Sequence, residues 1–171
     1  VVGGHEHVVH ISGDGHNGLG LLKYRRRDYD GAIAHFTQGL EVDPRNPMCW
    51  ANRGNCRHAK NDLEGAEKDY RRAVELNPRF VAAHNGLGIV RSMRGDFDGA
   101  IDAYSKALVL TPKDPGIYQN RGDARRQKGD VDGALKDYGW AIEINPRYAP
   151  VYSMRGLLKQ ATGDLQGALA D

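Results

Sequence analysis

Four prolines, Pro44, Pro78, Pro112 and Pro146, stand 34 residues apart, and much of the chain falls into step with them. Slot 1 of this period falls at Gly13, Pro47, Val81, Pro115 and Ala149. Slot 8 is then glycine five times: Gly20, Gly54, Gly88, Gly122 and Gly156. Slot 16 is aspartate five times: Asp28, Asp62, Asp96, Asp130 and Asp164. Slots 19 and 20 are Gly-Ala throughout, from Gly31-Ala32 to Gly167-Ala168. A fixed period of this length means one supersecondary unit that buries its apolar face against copies of itself. The 22 glycines of the 171 residues are explained in the same way. Ten fill slots 8 and 19, and three more (Gly95, Gly129, Gly163) fill slot 15, so low complexity is excluded.

Within a unit the apolar and small residues recur at helical spacing. Slots 4, 7, 8 and 11 share one face, and slots 20, 24, 27 and 28 share another. Slot 24 is aromatic (Phe36, Tyr70, Tyr104, Tyr138) and slot 27 is small (Gly39, Ala73, Ala107, Ala141). Aspartate at slot 16 suits a helix N-cap, glycine at slot 15 suits a left-handed helix stop, and proline at slot 32 ends the second helix. The pattern predicts helix pairs over 14–27 and 30–42, 48–60 and 64–76, 82–94 and 98–110, 116–128 and 132–144, and 150–162 and 165–171. Glycine inside a helix costs about 1 kcal/mol against alanine, so slot 8 implies a close approach, expected against the small residue at slot 20. Units also alternate. Slot 7 is Leu19 and Leu87 in units one and three, but Arg53, Arg121 and Arg155 in the others. Slot 23 changes with it: His35 and Ala103, against Asp69, Asp137 and Asp171. An Arg–Asp pair between the two helices of units two, four and five is expected, because an unpaired buried charge is costly. Through units one to four this alternation implies a deeper period of 68, a duplicated pair of units.

The pattern resembles the tetratricopeptide repeat: a 34-residue helix–turn–helix with aromatic, hydrophobic-glycine, alanine, aromatic, alanine and proline in order. The resemblance covers residues 13–171, as units 13–46, 47–80, 81–114, 115–148 and a shortened 149–171, with 1–12 as a tail or linker remnant. It implies an all-α, right-handed superhelical solenoid of antiparallel helix pairs whose first helices line a concave groove. The function it implies is a non-enzymatic scaffold for a peptide or partner protein. The groove positions it implies include Asn17, Leu21, Tyr24, Asn52, Asn55, His58, Asn85, Ile89, Gln119, Asn120, Asp123 and Arg126. They are mostly neutral and rich in amides, which donate and accept together and suit a peptide backbone. The cations with which chaperone-binding members of the family clamp a C-terminal carboxylate are missing in every frame. An alternative is a recruitment arm for a catalytic domain elsewhere in a longer chain, since both ends read as cut. Self-association through uncapped repeat ends is a further expectation.

Other motifs are weaker. Gly13-Asp14-Gly15-His16-Asn17-Gly18 matches G-x-G-x-x-G, yet its core recurs as His84–Gly88 without the preceding strand, so it belongs to the repeat and no cofactor is expected. His5, His7 and His10 could hold zinc, but no firmly spaced Cys or carboxylate joins them, and no metal is assigned. Cys49 and Cys56 lie about 10.5 Å apart along one helix, too far for a disulfide. Two free thiols fit a reducing, cytoplasmic setting. A net charge of +2 does not favour nucleic acid, and no apolar run is long enough to span a membrane.

Overall fold

In the computed structural model, which describes residues 11–171, every period closes into two helices. Unit one is α1 (Gly13–Arg25) and α2 (Tyr29–Val42), unit two α3 (Pro47–Ala59) and α4 (Leu63–Leu76), and unit three α5 (Val81–Met93) and α6 (Phe97–Leu110). Unit four is α7 (Pro115–Lys128) and α8 (Val131–Ile144), and unit five α9 (Ala149–Ala161) and α10 (Leu165–Ala170). Boundaries fall within two residues of those expected, and there is no strand among the described residues. His5, His7 and His10 lie outside the described residues.

The slot-16 aspartates begin the second helices. Asp28, Asp62, Asp96, Asp130 and Asp164 each accept the N–H of the slot-19 glycine at 2.9 Å. This satisfies one of the donors that a helix start leaves open. The residue before each capping aspartate is left-handed: Arg27 (φ 60), Asn61 (φ 62), Gly95 (φ 81), Gly129 (φ 91) and Gly163 (φ 85). First helices differ at their starts. Ser12, Asn46 and Asp114 cap α1, α3 and α7 with side-chain oxygens, whereas Phe80 and Tyr148 before α5 and α9 supply none.

The slot-8 glycine has a different reason from the one expected. A Cβ on Gly20 would lie 2.5 Å from the Phe36 ring, on Gly88 2.5 Å from Tyr104, on Gly122 2.7 Å from Tyr138 and on Gly54 3.1 Å from Tyr70. The slot-24 ring, not the slot-20 alanine, sits on the first helix. In Gly156 alone of the five does the slot-20 residue, Ala168, come nearest, through its backbone oxygen at 3.4 Å. Phe36, Tyr70, Tyr104 and Tyr138 are buried with Ala32, Ala66, Ala100 and Ala134 to form a chain of small cores.

Each second helix packs on its own first helix and on the next one. First helices also touch across units: α1 meets α3, α3 meets α5 and α5 meets α7. Second helices make no comparable contacts with one another. The array therefore curves with first helices inside and second helices splayed outside, a superhelical solenoid.

Candidate functional site

The outer charged residues are structural. Asp69 is 1% exposed and takes Arg53 in two-pronged fashion, Nε to Oδ2 at 3.0 Å and Nη2 to Oδ1 at 2.8 Å. Asp137 holds Arg121 in the same way at 3.0 and 2.7 Å, and Asp171 holds Arg155. The expected pairing is present in all three units. Two partners were not foreseen. Slot 11 adds a second cation to each carboxylate: Arg57 at 2.8 Å, Arg125 at 2.9 Å and Lys159 at 3.0 Å. The slot-7 guanidinium also reaches back a unit, Arg53 to the Thr37 hydroxyl at 3.1 Å and Arg121 to the Ser105 hydroxyl at 3.0 Å. Its flat face lies over the slot-4 ring, Trp50, Tyr118 or Tyr152. Slot 4 is aromatic but histidine wherever slot 7 is leucine, a sequence signal that could have shown this layer.

The inner face holds the expected groove residues on consecutive first helices, but several of its amides already have partners. Asn52 Nδ2 donates to Asn17 Oδ1 at 2.9 Å, and Asn120 Nδ2 to Asn85 Oδ1 at 3.3 Å. Tyr70 donates to Asn55 Oδ1 and Tyr138 to Asp123 Oδ1, both at 2.6 Å. His58 Nε2 lies 3.2 Å from Met93 Sδ. Burial, then the Asp123 carboxylate, pushes the Tyr138 phenol well above its ordinary value. Burial also raises Tyr70, and lifts Tyr104 to about 12. All three phenols are therefore hydrogen-bonding groups, not acids. Leu21, Ile89, Gln119 and Arg126 are half-buried, and Tyr24 and Asn55 are exposed. Met48, Met93 and Leu157 add exposed apolar surface on the same helices.

Between units three and four the face deepens into a hollow of ≈ 400 Å³, with Ile89, Met93, Phe97 and Tyr104 as apolar walls and Asn120 and Asp123 at the rim. Ser92 Oγ, in its lining, and Arg126 Nε are buried without a partner. Met93 and Phe97 escaped the sequence reading because slot 13 and slot 17 lie outside the expected groove set.

A profile of the family described as tetratricopeptide repeat matches residues 17–79 and 59–115, and one described as TPR repeat matches 122–163. The chain belongs to the tetratricopeptide repeat family. Solved structures agree. A crystal structure of MamA is 26% identical over 89% of this chain and 89% of its own, with a TM-score of 0.86. MamA from Desulfovibrio magneticus RS-1 is 14% identical over 92% and 89%, with a TM-score of 0.87. YrrB, described as a TPR protein with an unusual peptide-binding site, is 18% identical over 91% and 80%, with a TM-score of 0.80. The last two likenesses speak to fold. No curated protein sequence matches the chain. The tetratricopeptide repeats build a protein-interaction scaffold. Among the described residues no helix is long and apolar enough to cross a membrane, and no three potential ligands cluster for a metal.

Proposed function

We propose that this scaffold binds an extended peptide along its concave face, anchored at the hollow between units three and four. The observation that carries the reading is the Ser92 hydroxyl, buried without a partner in the lining of that hollow. A buried donor without an acceptor costs about 1–3 kcal/mol, and an incoming carbonyl or carboxylate relieves that cost. The apolar walls beside Ser92 suit a bulky side chain of the same peptide. The Asn17–Asn52 and Asn85–Asn120 bonds hold the amides in place while leaving each with unused capacity.

The test is selection of random displayed peptides on the whole chain, followed by titration of the selected peptides. Ser92→Ala and Asn120→Ala should each weaken them by about tenfold, the effect of losing one geometrically fixed hydrogen bond. Peptides that bind both variants unchanged would place the site elsewhere.

A further inference from the structure

Unit three lacks the outer ion pair, and its place is taken by an open cleft. In units two and four the space between neighbouring second helices is occupied by the slot-7 guanidinium, bound to the slot-23 carboxylate. In unit three those positions are Leu87 and Ala103, and a cavity of ≈ 190 Å³ lies between α4 and α6 with α5 as its floor. Yet the cations remain. Arg91, the slot-11 cation, lines the cavity with Arg71 and Lys106. In units two, four and five the slot-11 cation binds the slot-23 carboxylate of its own unit. Here Arg91 turns to Glu67 at 3.2 Å and the Gly99 carbonyl at 3.2 Å. Arg71 has no ion pair among the described residues. What has been deleted is the carboxylate.

His84 sharpens the point. It is 6% exposed, and its Nε2 lies 2.8 Å from the Pro78 carbonyl. A carbonyl only accepts, so Nε2 carries the hydrogen and donates. Nδ1 is buried with no partner, and His84 lines the cavity. The same histidine also lines an adjoining hollow of ≈ 470 Å³ walled by Val74, Pro78, Val109 and Leu110. Val109 is 82% exposed, where the other full units carry Glu41, Glu75 and Glu143.

We infer that this outer cleft is a second docking site, independent of the groove, for a partner segment that places a carboxylate side chain beside an aliphatic one. The carboxylate enters beside Arg71, where slot 23 has lost its own, a backbone N–H of the same segment donates to His84 Nδ1, and the aliphatic side chain covers Val109 in the adjoining hollow. Glu75 and Asp102 also face His84, but each has a cation of its own: Arg72 at 3.1 Å and Lys106 at 2.8 Å. With its hydrogen at Nε2, His84 presents at Nδ1 a lone pair that accepts this donor. The charged groups around it are Arg71 and Glu75 from α4, Arg91 from α5, and Asp102 and Lys106 from α6.

The experiment titrates the whole chain with the capped peptide Gly-Asp-Leu-Leu-Gly, following the His84 ring and Val109 methyl NMR signals. Expected are saturable shifts at both residues and a loss of about tenfold or more in affinity when the peptide's Asp is replaced by Asn. The variant Leu87→Arg with Ala103→Asp copies the pair found in units two and four. It should keep the helical spectrum and lose the binding. Equal binding by that folded variant, or equal binding of the Asn peptide, overturns the proposal. So does a response confined to Asn120 and Ile89, which would assign the peptide to the groove.

Discussion

Replacing Asp137 by alanine tests the outer ion pair directly. The carboxylate is 1% exposed and accepts Arg121 at 3.0 and 2.7 Å and Arg125 at 2.9 Å. Removing one partner of a buried pair costs about 3–5 kcal/mol, mostly through the charge left behind. Arg121 keeps Ser105 and the Tyr118 face, and its side chain is 17% exposed, so the lower end, about 3 kcal/mol, applies. For a chain of this size that corresponds to a fall in melting temperature of roughly 6–12 °C if unfolding is cooperative. Adding Arg121→Leu imitates Leu87 and Ala103 of unit three. It should recover about half of the loss, not all, because Arg125 also loses its acceptor. In unit three the equivalent Arg91 turns to Glu67, but unit four follows Ile101 at that slot. Repeat arrays can unfold in parts, so the sharper assay is hydrogen exchange of the α7 and α8 amides. A loss below about 1 kcal/mol, the worth of an exposed pair, would refute the reasoning. So would full recovery in the double variant.

Further outcomes follow from other sites. Gly88→Ala, whose Cβ would meet Tyr104 at 2.5 Å, should destabilise, whereas Gly18→Ala, with open space around it, should stabilise by about 1 kcal/mol in thermal melts. Asn61→Gly at φ 62 should raise stability by about 1 kcal/mol in the same assay. The Asp171 carboxyl is lowered by its hydrogen bond from Arg155, partly opposed by burial and helped by Lys159. Its contribution is therefore fully present above the unfolded value and lost as pH falls below about 4. Exchange of α9 amides should rise there, and Asp171→Asn should remove the dependence. Burial pushes the Cys49 and Cys56 thiols up to about 11, so a thiol reagent at neutral pH should react at the rate of local opening and not at that of a free thiol.

The fold was legible because each unit repeats the same local instructions. Asp28 through Asp164 mark every second helix, and five copies in phase outweigh any single propensity. Arg53–Asp69 was legible through covariation between slots 7 and 23. The Arg57 contact was not, because slot 11 is basic in every unit, including those without an acid, and so varies with nothing. The slot-8 glycine was located correctly but explained by the wrong neighbour. Sequence spacing gives the face of a helix, while ring reach, here Tyr104 over Gly88, decides what touches it. The partnering of Asn52 with Asn17 was hidden for a related reason: it joins residues 35 apart whose separation depends on the pitch of the array. The hollow beside Ser92, and the cleft beside His84, are properties of how units stack and have no signature in one unit alone.

The alternation of units has a mechanical side. Units one and two are tied twice, outside by Arg53 to Thr37 and inside by Asn52 to Asn17. Units three and four are tied twice in the same way, by Arg121 to Ser105 and Asn120 to Asn85. Between units two and three neither tie exists: Leu87 replaces the arginine and Gly86 the asparagine. Instead Glu67 on α4 takes both Arg91 and Arg94. Those charges are partly in solvent, where salt screens them over about 8–10 Å. Through units one to four the solenoid is thus two stiff segments joined by a compliant coil near residues 77–81, which loosens as ionic strength rises. A ligand that grips both sides of that coil would stretch or tighten the whole array.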